Sequence, residues 1–269
     1  MSRQTILITG AAGRVGTLLR PMLRSSYNLR LIDLAPIVDA QDDEEVFRGD
    51  LADPHIAKLA VAGASGVVHL AAAVSPSIAF KETLGPNYQA VLNLLEACRM
   101  HEVKRFIFAS SHHAVGLLSS DSTVADDSLP APDGFYGLSK AFGEAACAMY
   151  AHRYGISTLA IRIGNADPEV VDGRRERLWT SGRDLVQLIE IGLKAEDLKY
   201  EVVYGVSHCP RPLLNNEMAE RLGYSPMDYA SENRAPEFRP LETLSANDGI
   251  DYVGGFFAVS DLPDPTVQK

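Results

Sequence analysis

The sequence has no apolar run approaching the ~18 residues needed to span a bilayer, so no membrane-crossing helix and no membrane partner are expected. It passes at once from Met1-Ser2-Arg3-Gln4 into a strand-like stretch, without the charged and apolar regions of a signal peptide. Cysteine is scarce: Cys98, Cys147 and Cys209 are far apart and odd in number. That spacing sets up neither a disulfide framework nor a metal site, and it points to a reducing cytoplasm. Positive charge is in deficit, with 25 Lys and Arg against 35 Asp and Glu, a formal net charge of −10. Such a surface repels nucleic acid and anionic membranes. Internal repeats and long low-complexity linkers are also missing.

What is present suits one large α/β unit. The chain has 269 residues, 46% of them hydrophobic, enough for a sizeable core. Thr5-Ile6-Leu7-Ile8-Thr9 is a short β-branched run that reads as a strand buried on both faces. Further strands are expected at 29–33, 45–48, 66–70, 105–109 and 158–163, with helical patterns at 14–23, 83–101 and 141–151 among them. Strands alternating with helices imply βαβ units and a doubly wound parallel sheet, the Rossmann arrangement. Residues 1–165 form this dinucleotide-binding core. Residues 166–269 form a small substrate-binding portion interleaved with it as one structural unit. There a helix at 184–194 and a strand at 201–204 stand between loops, including the basic stretch 174–177, and the tail from 232 is polar.

The first strand ends in Thr9-Gly10-Ala11-Ala12-Gly13-Arg14-Val15-Gly16. Glycines at i, i+3 and i+6 allow a sharp turn, close approach of backbone to a pyrophosphate, and tight packing of helix on sheet. The helix start then offers free N–H groups and a positive dipole end to phosphates. The strand before and the helix after make this a specific signal. Asp33 ends the second strand, where a carboxylate can accept from adenosine ribose hydroxyls and repel a 2′-phosphate. Leu34-Ala35-Pro36 supplies no cation to compensate, which favours NAD over NADP. A turn cap is the other reading of Asp33. Asp50-Leu51 after the third strand is placed to meet the adenine, although Asp is common in turns.

Tyr136 and Lys140 lie four residues apart at the start of a helix, on one face. A phenol is a poor base near neutrality, and a neighbouring ammonium favours its ionised form. Ser110-Ser111-His112-His113 follows the fifth strand, at the sheet edge where ligands bind. A serine there can hydrogen-bond the oxygen that Tyr136 deprotonates. The adjacent histidines read as a polar pocket lining rather than a metal site.

With these residues the chain resembles the extended short-chain dehydrogenases/reductases, the NAD-dependent epimerase/dehydratase group. The likeness is carried by Thr9 to Gly16, Asp33, Asp50, His69-Leu70-Ala71-Ala72, Asn87, Ser110-Ser111 and Tyr136-x-x-x-Lys140. It implies that Ser111, Tyr136 and Lys140 are the catalytic residues. It also implies that NAD is held by Gly10, Ala12, Gly13, Arg14, Val15 and Gly16, by Asp33, Asp50 and Leu51, by Leu70, Ala71, Ala72 and Asn87, and by Tyr136, Lys140 and Ile163. Within the class the chain is similar to the bacterial uronate dehydrogenases, which oxidise a hexuronic acid at C1 to a lactone. Phe108-Ala109-Ser110-Ser111, His113, Arg162-Ile163-Gly164, Pro168, Arg174 with Trp179, Val203-Tyr204-Gly205 and Leu222-Gly223-Tyr224-x-Pro226 carry that likeness. The chain departs from that pattern at His112 (usually Asn), at Asn165 (usually Ser), and at Pro212-Leu213-Leu214 (usually paired Trp). All three changes are expected where substrate would lie.

The expected small-molecule substrate is therefore a uronate or related polyhydroxylated sugar acid. Ser75, Ser111, His112, His113, Asn165 and Arg174 would line its pocket, with Arg174 pairing a carboxylate. A solvated loop charge is the other reading of Arg174. A nucleotide-sugar epimerase shares the N-terminal half but needs a larger C-terminal portion. A dehydratase needs acidic residues where His112-His113 stand, and a non-catalytic dinucleotide sensor would lack the Tyr/Lys pair. The small residues Ala141, Ala145, Ala146, Cys147 and Ala148 leave the Tyr136 helix apolar on most sides. With Val91, Leu92, Leu94 and Leu95 on the helix before it, they point to a homodimer or higher even oligomer.

Overall fold

The computed structural model describes residues 3–266. Its seven-stranded sheet is parallel throughout. The strands are β1 (Thr5–Thr9), β2 (Asn28–Asp33), β3 (Glu45–Arg48), β4 (Gly66–His69), β5 (Arg105–Ser111), β6 (Ser157–Ile163) and β8 (Tyr200–Gly205), in the order β3-β2-β1-β4-β5-β6-β8. The order reverses direction between β1 and β4, which opens a crevice at their carboxyl ends. The last strand, β8, comes from beyond residue 165, so the C-terminal portion completes the sheet that the N-terminal portion begins. A separate two-stranded parallel pair joins β7 (Val170–Asp172) to β9 (Arg234–Arg239).

Helices cover both faces, which is why the strands are apolar in continuous runs rather than in alternation. On one face α1 (Arg14–Leu23) and α7 (Gly182–Lys194) bury Leu19, Leu23, Leu188 and Ile189 against Ile8 and Ile161. On the other, α2 (Pro54–Val61), α4 (Ala90–Met100) and α5 (Phe135–Tyr154) close over Leu7, Phe106 and Phe108 with Leu94, Leu95 and Cys147.

The single helix expected over 83–101 is instead three pieces: α3 (Phe80–Thr83), a π-helical stretch at Leu84–Gln89, and α4. Pro86 lies in the middle piece. It has no N–H to donate and crowds the preceding turn, so the hydrogen-bond spacing widens there. The basic stretch expected as a loop is the short helix α6 (Gly173–Glu176), capped by Asp172, whose side chain accepts from the Arg175 N–H. Residues 217–221 form α8, and α9 (Phe256–Val259) lies in the tail that composition marked only as polar. Among the described residues no helix is long and apolar enough to cross a membrane.

Candidate active site

The crevice holds a cavity of about 560 Å³, within the range of small-molecule sites. One wall is the loop after β1. Gly10 has φ +67°, and a Cβ there would lie 2.7 Å from the Ala71 nitrogen. A Cβ on Gly16 would lie 2.5 Å from the Gly10 carbonyl oxygen, so only glycine lets α1 start this close to the strand. Gly10, Gly13, Arg14, Val15 and Gly16 all line the cavity. No side chain caps the first turn of α1, and its N–H groups are free for a diphosphate. These residues fit the pyrophosphate half of a dinucleotide.

Asp33 is held ready beside that loop. Its Oδ2 accepts from the Ala12 N–H at 2.9 Å and its Oδ1 from the Ala35 N–H at 3.0 Å. The capping and the ribose readings of Asp33 are thus compatible, because each carboxylate oxygen keeps a further lone pair. Leu70 and Ala72 line the cavity, while the Ala71 N–H is tied to Thr9 Oγ1, itself 2.7 Å from His69 Nδ1. That chain of contacts fixes the ends of β1 and β4 together.

Besides Ala12, Asp33 and Ala71, the expected residues Asn87, Asp50, Leu51 and Ser75 stand back from the cavity wall. Asn87 is buried, and its amide is satisfied by the Ala73 backbone and by Ser139 Oγ at 2.8 Å. It braces the loop after β4 against α5, next to Lys140, rather than facing a ligand. Asp50 is exposed and caps its own turn through the Ala52 N–H, and the Leu51 side chain is in the core. Ser75 Oγ is 3.3 Å from Ser77 Oγ, and Val74 rather than Ser75 lines the cavity.

At the far end, Ser111, His112, His113, Tyr136, Lys140, Ile163, Asn165 and Arg174 meet on one cavity. The sheet brings them there: Ser111 ends β5, Ile163 ends the adjacent β6, and Tyr136 and Lys140 occupy the first turns of α5. The Ser111 hydroxyl is near enough to the Tyr136 phenol to favour its ionised form. Lys140 is buried, donates to the Ala109 carbonyl at 2.7 Å, and lies 5.5 Å from the Tyr136 ring centre. Burial lowers the Lys140 ammonium to about 8 and pushes the Tyr136 phenol up to about 12. The lowering of the phenol expected from its lysine is outweighed: removal from water is the larger effect, and the Ser111 hydroxyl opposes it.

The solvated reading of Arg174 is excluded. Its residue exposure is 9%, Nη2 donates to the Val253 carbonyl, and Nε is buried with no partner. Its neighbours differ: Arg175 pairs with Asp172, and Arg177 donates to the Arg211 and Ser120 carbonyls. Burial lowers Arg174 to about 10, so it stays cationic at neutral pH. An underused buried guanidinium on a cavity is a receptor for an anion.

Sequence reasoning missed the strap that closes the site. Gly254, Phe256 and Phe257 line the cavity, and the Phe257 ring stacks on His113 with centroids 4.1 Å apart. Asp167 also lines it, paired with Arg14 across the mouth. The substitution at Pro212-Leu213-Leu214, expected beside the substrate, lies elsewhere. Leu213 and Leu214 are buried with Val115, Tyr204 and Val253 in an apolar cluster behind the site. Among the described residues no group of three or more His, Cys, Asp or Glu is arranged to hold a metal ion.

Comparison with known proteins agrees with this geometry. Residues 6–168 match the model of the NAD dependent epimerase/dehydratase family. The chain is 40% identical over 257 residues to a uronate dehydrogenase of Pseudomonas putida, covering 95% of this chain and 96% of that one. It superposes on a uronate dehydrogenase from Agrobacterium tumefaciens, a tyrosine-to-alanine mutant complexed with NAD, with TM-score 0.87 and 34% identity over 97% of this chain and 98% of the other. A glucuronic acid dehydrogenase from Chromohalobacter salexigens gives TM-score 0.88 at 32% identity, with coverage of 97% and 98%.

Proposed function

The chain belongs to the NAD dependent epimerase/dehydratase family, and from that membership we propose that it oxidises the C1 hydroxyl of a uronic acid with NAD, giving a lactone from a hexuronate. It is an NAD-dependent oxidoreductase acting on a CH–OH group. The observation that carries the acid substrate is Arg174, a buried cation that lines the cavity holding Tyr136.

Bound NAD supplies the hydride acceptor. Gly13, Arg14 and Val15 would hold its diphosphate, Asp33 its adenosine ribose, and Lys140 its nicotinamide ribose. Ser111 hydrogen-bonds the reacting oxygen, and the Tyr136 phenolate takes its proton as the hydride leaves. Arg174 pairs with the carboxylate and so fixes which carbon faces Tyr136. The strap residues Phe256 and Phe257 exclude water from the reacting end.

An epimerase acting on nucleotide sugars would have to seat a second nucleotide in this cavity, where Arg174 and the strap already close the far end. The intact Ser111, Tyr136 and Lys140 set disfavours a non-catalytic sensor. Three widely spaced free cysteines suit the cytoplasm. Val91, Leu94, Leu95, Ala146 and Cys147, read in the sequence as pointing to an oligomer, pack in the chain's own core, so the homodimer or higher even oligomer rests instead on the exposed Leu84, Leu138 and Met149 near and on α4 and α5. The test of function is a screen of uronic acids, neutral aldoses and other secondary alcohols with NAD, read by NADH absorbance. Turnover confined to neutral aldoses would overturn the acid reading.

A further inference from the structure

Behind the cavity wall sits a carboxylate that no part of the proposed mechanism uses. The Asp133 side chain is 0% exposed, and its Oδ2 is 2.6 Å from His113 Nδ1. Glycine surrounds it. A Cβ on Gly116, Gly137 or Gly254 would lie 2.1, 2.9 or 1.9 Å from one of its oxygens. Three separate segments are therefore shaped around one carboxylate: the turn after β5, the start of α5, and the strap. Its other oxygen, Oδ1, is buried without a hydrogen-bond partner, so His113 is the side chain this group serves.

A carboxylate only accepts, so His113 Nδ1 carries the hydrogen and Nε2 keeps its lone pair. His112 is fixed in the same sense by a different partner. Its Nδ1 is 3.0 Å from the Ile163 carbonyl oxygen, which also only accepts. The two rings lie side by side, centroids 4.1 Å apart, and both line the cavity. Burial and the Arg174 charge disfavour adding a proton to His113, which is lowered to about 3, and burial and His113 hold His112 well below its usual value. Both rings stay neutral.

We infer that Asp133 is a positioning residue that sets the His113 tautomer, so that His112 and His113 together present two adjacent Nε2 acceptors to two neighbouring hydroxyl groups of the sugar acid. Arg174 offers only donors to the same cavity. The acid end and the hydroxyl face are thus read by groups of opposite hydrogen-bonding sense, which sets orientation as well as affinity. A substrate lacking one of those hydroxyls leaves a buried lone pair unmatched, and such a mismatch is penalised more heavily than a missing contact. The substrate half of this inference rests on the sugar-acid reading above; the tautomers do not.

The direct test is the nitrogen NMR spectrum of 15N-histidine-labelled protein saturated with NAD, at mildly alkaline pH. His112 and His113 are assigned by loss of signals in His112→Asn and His113→Gln. Each should show a protonated Nδ1 and an unprotonated Nε2. In Asp133→Asn the amide can donate as well as accept, so His113 should shift toward protonated Nε2 while His112 is unchanged. The same variant should lose roughly 10- to 100-fold in kcat/KM for a sugar acid, chiefly through KM. It should lose little on an analogue missing one of the paired hydroxyls. A wild-type His113 protonated at Nε2, or an Asp133→Asn spectrum identical to wild type, overturns the inference. If Asp133→Asn does not fold, the wild-type spectrum alone decides. If no sugar acid is turned over, the substrate reading fails while the spectrum still settles the tautomers.

Discussion

Arg174 donates through Nη2 to the carbonyl oxygen of Val253, which ties α6 to the C-terminal strap at the back of the catalytic cavity. One side of the guanidinium is thereby committed to the protein, and Nε is left buried and unpartnered. The guanidinium is thus fixed where it lines the cavity.

Arg174→Ala should therefore lower kcat/KM for a uronate by about 30- to 150-fold, the loss of one charge-assisted, bidentate contact. Kinetics on a neutral aldose should barely change. Equal losses on both substrates would mean that Arg174 serves only to hold the strap.

Removing a single oxygen separates chemistry from binding at Tyr136. Tyr136→Phe should keep NAD affinity by calorimetry and lose at least ~10²-fold in turnover, since only the proton-transferring group is gone. Lys140→Ala should weaken both, because Lys140 is placed to hold the cofactor ribose and to charge the site beside the phenol. Near-normal turnover by Tyr136→Phe would remove Tyr136 from its role.

Cofactor choice follows from Asp33, whose carboxylate is already oriented by the Ala12 and Ala35 N–H groups. NAD should bind much more tightly than NADP in a fluorescence titration. Asp33→Ala should narrow the gap by weakening NAD. Equal or tighter NADP binding by the wild type would contradict the assignment.

The pH dependence has a definite sign. Oxidation needs the deprotonated Tyr136 oxygen, and burial holds its phenol up at about 12. The phenolate share grows as pH rises toward that value, so kcat for oxidation should climb from neutral into mildly alkaline pH. Asp133 acts on KM instead. Burial pushes its carboxyl up to about 7. Below that pH it keeps its proton and donates a hydrogen bond to His113 Nδ1, so the neutral ring carries its own hydrogen on Nε2. The groups facing it are His112 and His113 after β5, Tyr136 from α5 and Arg174 from α6, and Arg174 stays charged up to about 10. KM for the sugar acid should fall as pH rises through about 7, and Asp133→Asn should abolish that step.

Much of this was legible in the chain itself. The glycine spacing of Gly10, Gly13 and Gly16, and the pairing of Tyr136 with Lys140, each state a local geometry that strand and helix periods then place at the same sheet edge. Arg174 was legible as a candidate but not as buried, because its burial depends on Val253 and Gly255, some eighty residues further along the chain. Phe256, Phe257 and Asp133 carried no local pattern. Phe256 and Phe257 reach the site through tertiary packing of a tail whose composition reads only as polar, and Asp133 reaches it from the turn just before α5. The misplacement of Leu213 and Leu214 has the same origin: loop residues after β8 turn inward to the apolar cluster instead of toward the cavity.

The central claim is that this active site selects an acid. The most direct test is kcat/KM with NAD for galacturonate beside galactose, which differ in the carboxylate and share the ring stereochemistry. The account predicts NADH formation with a preference for the acid of at least ~30-fold, the worth of the Arg174 contact. Equal rates, or a preference for the neutral sugar, would contradict it.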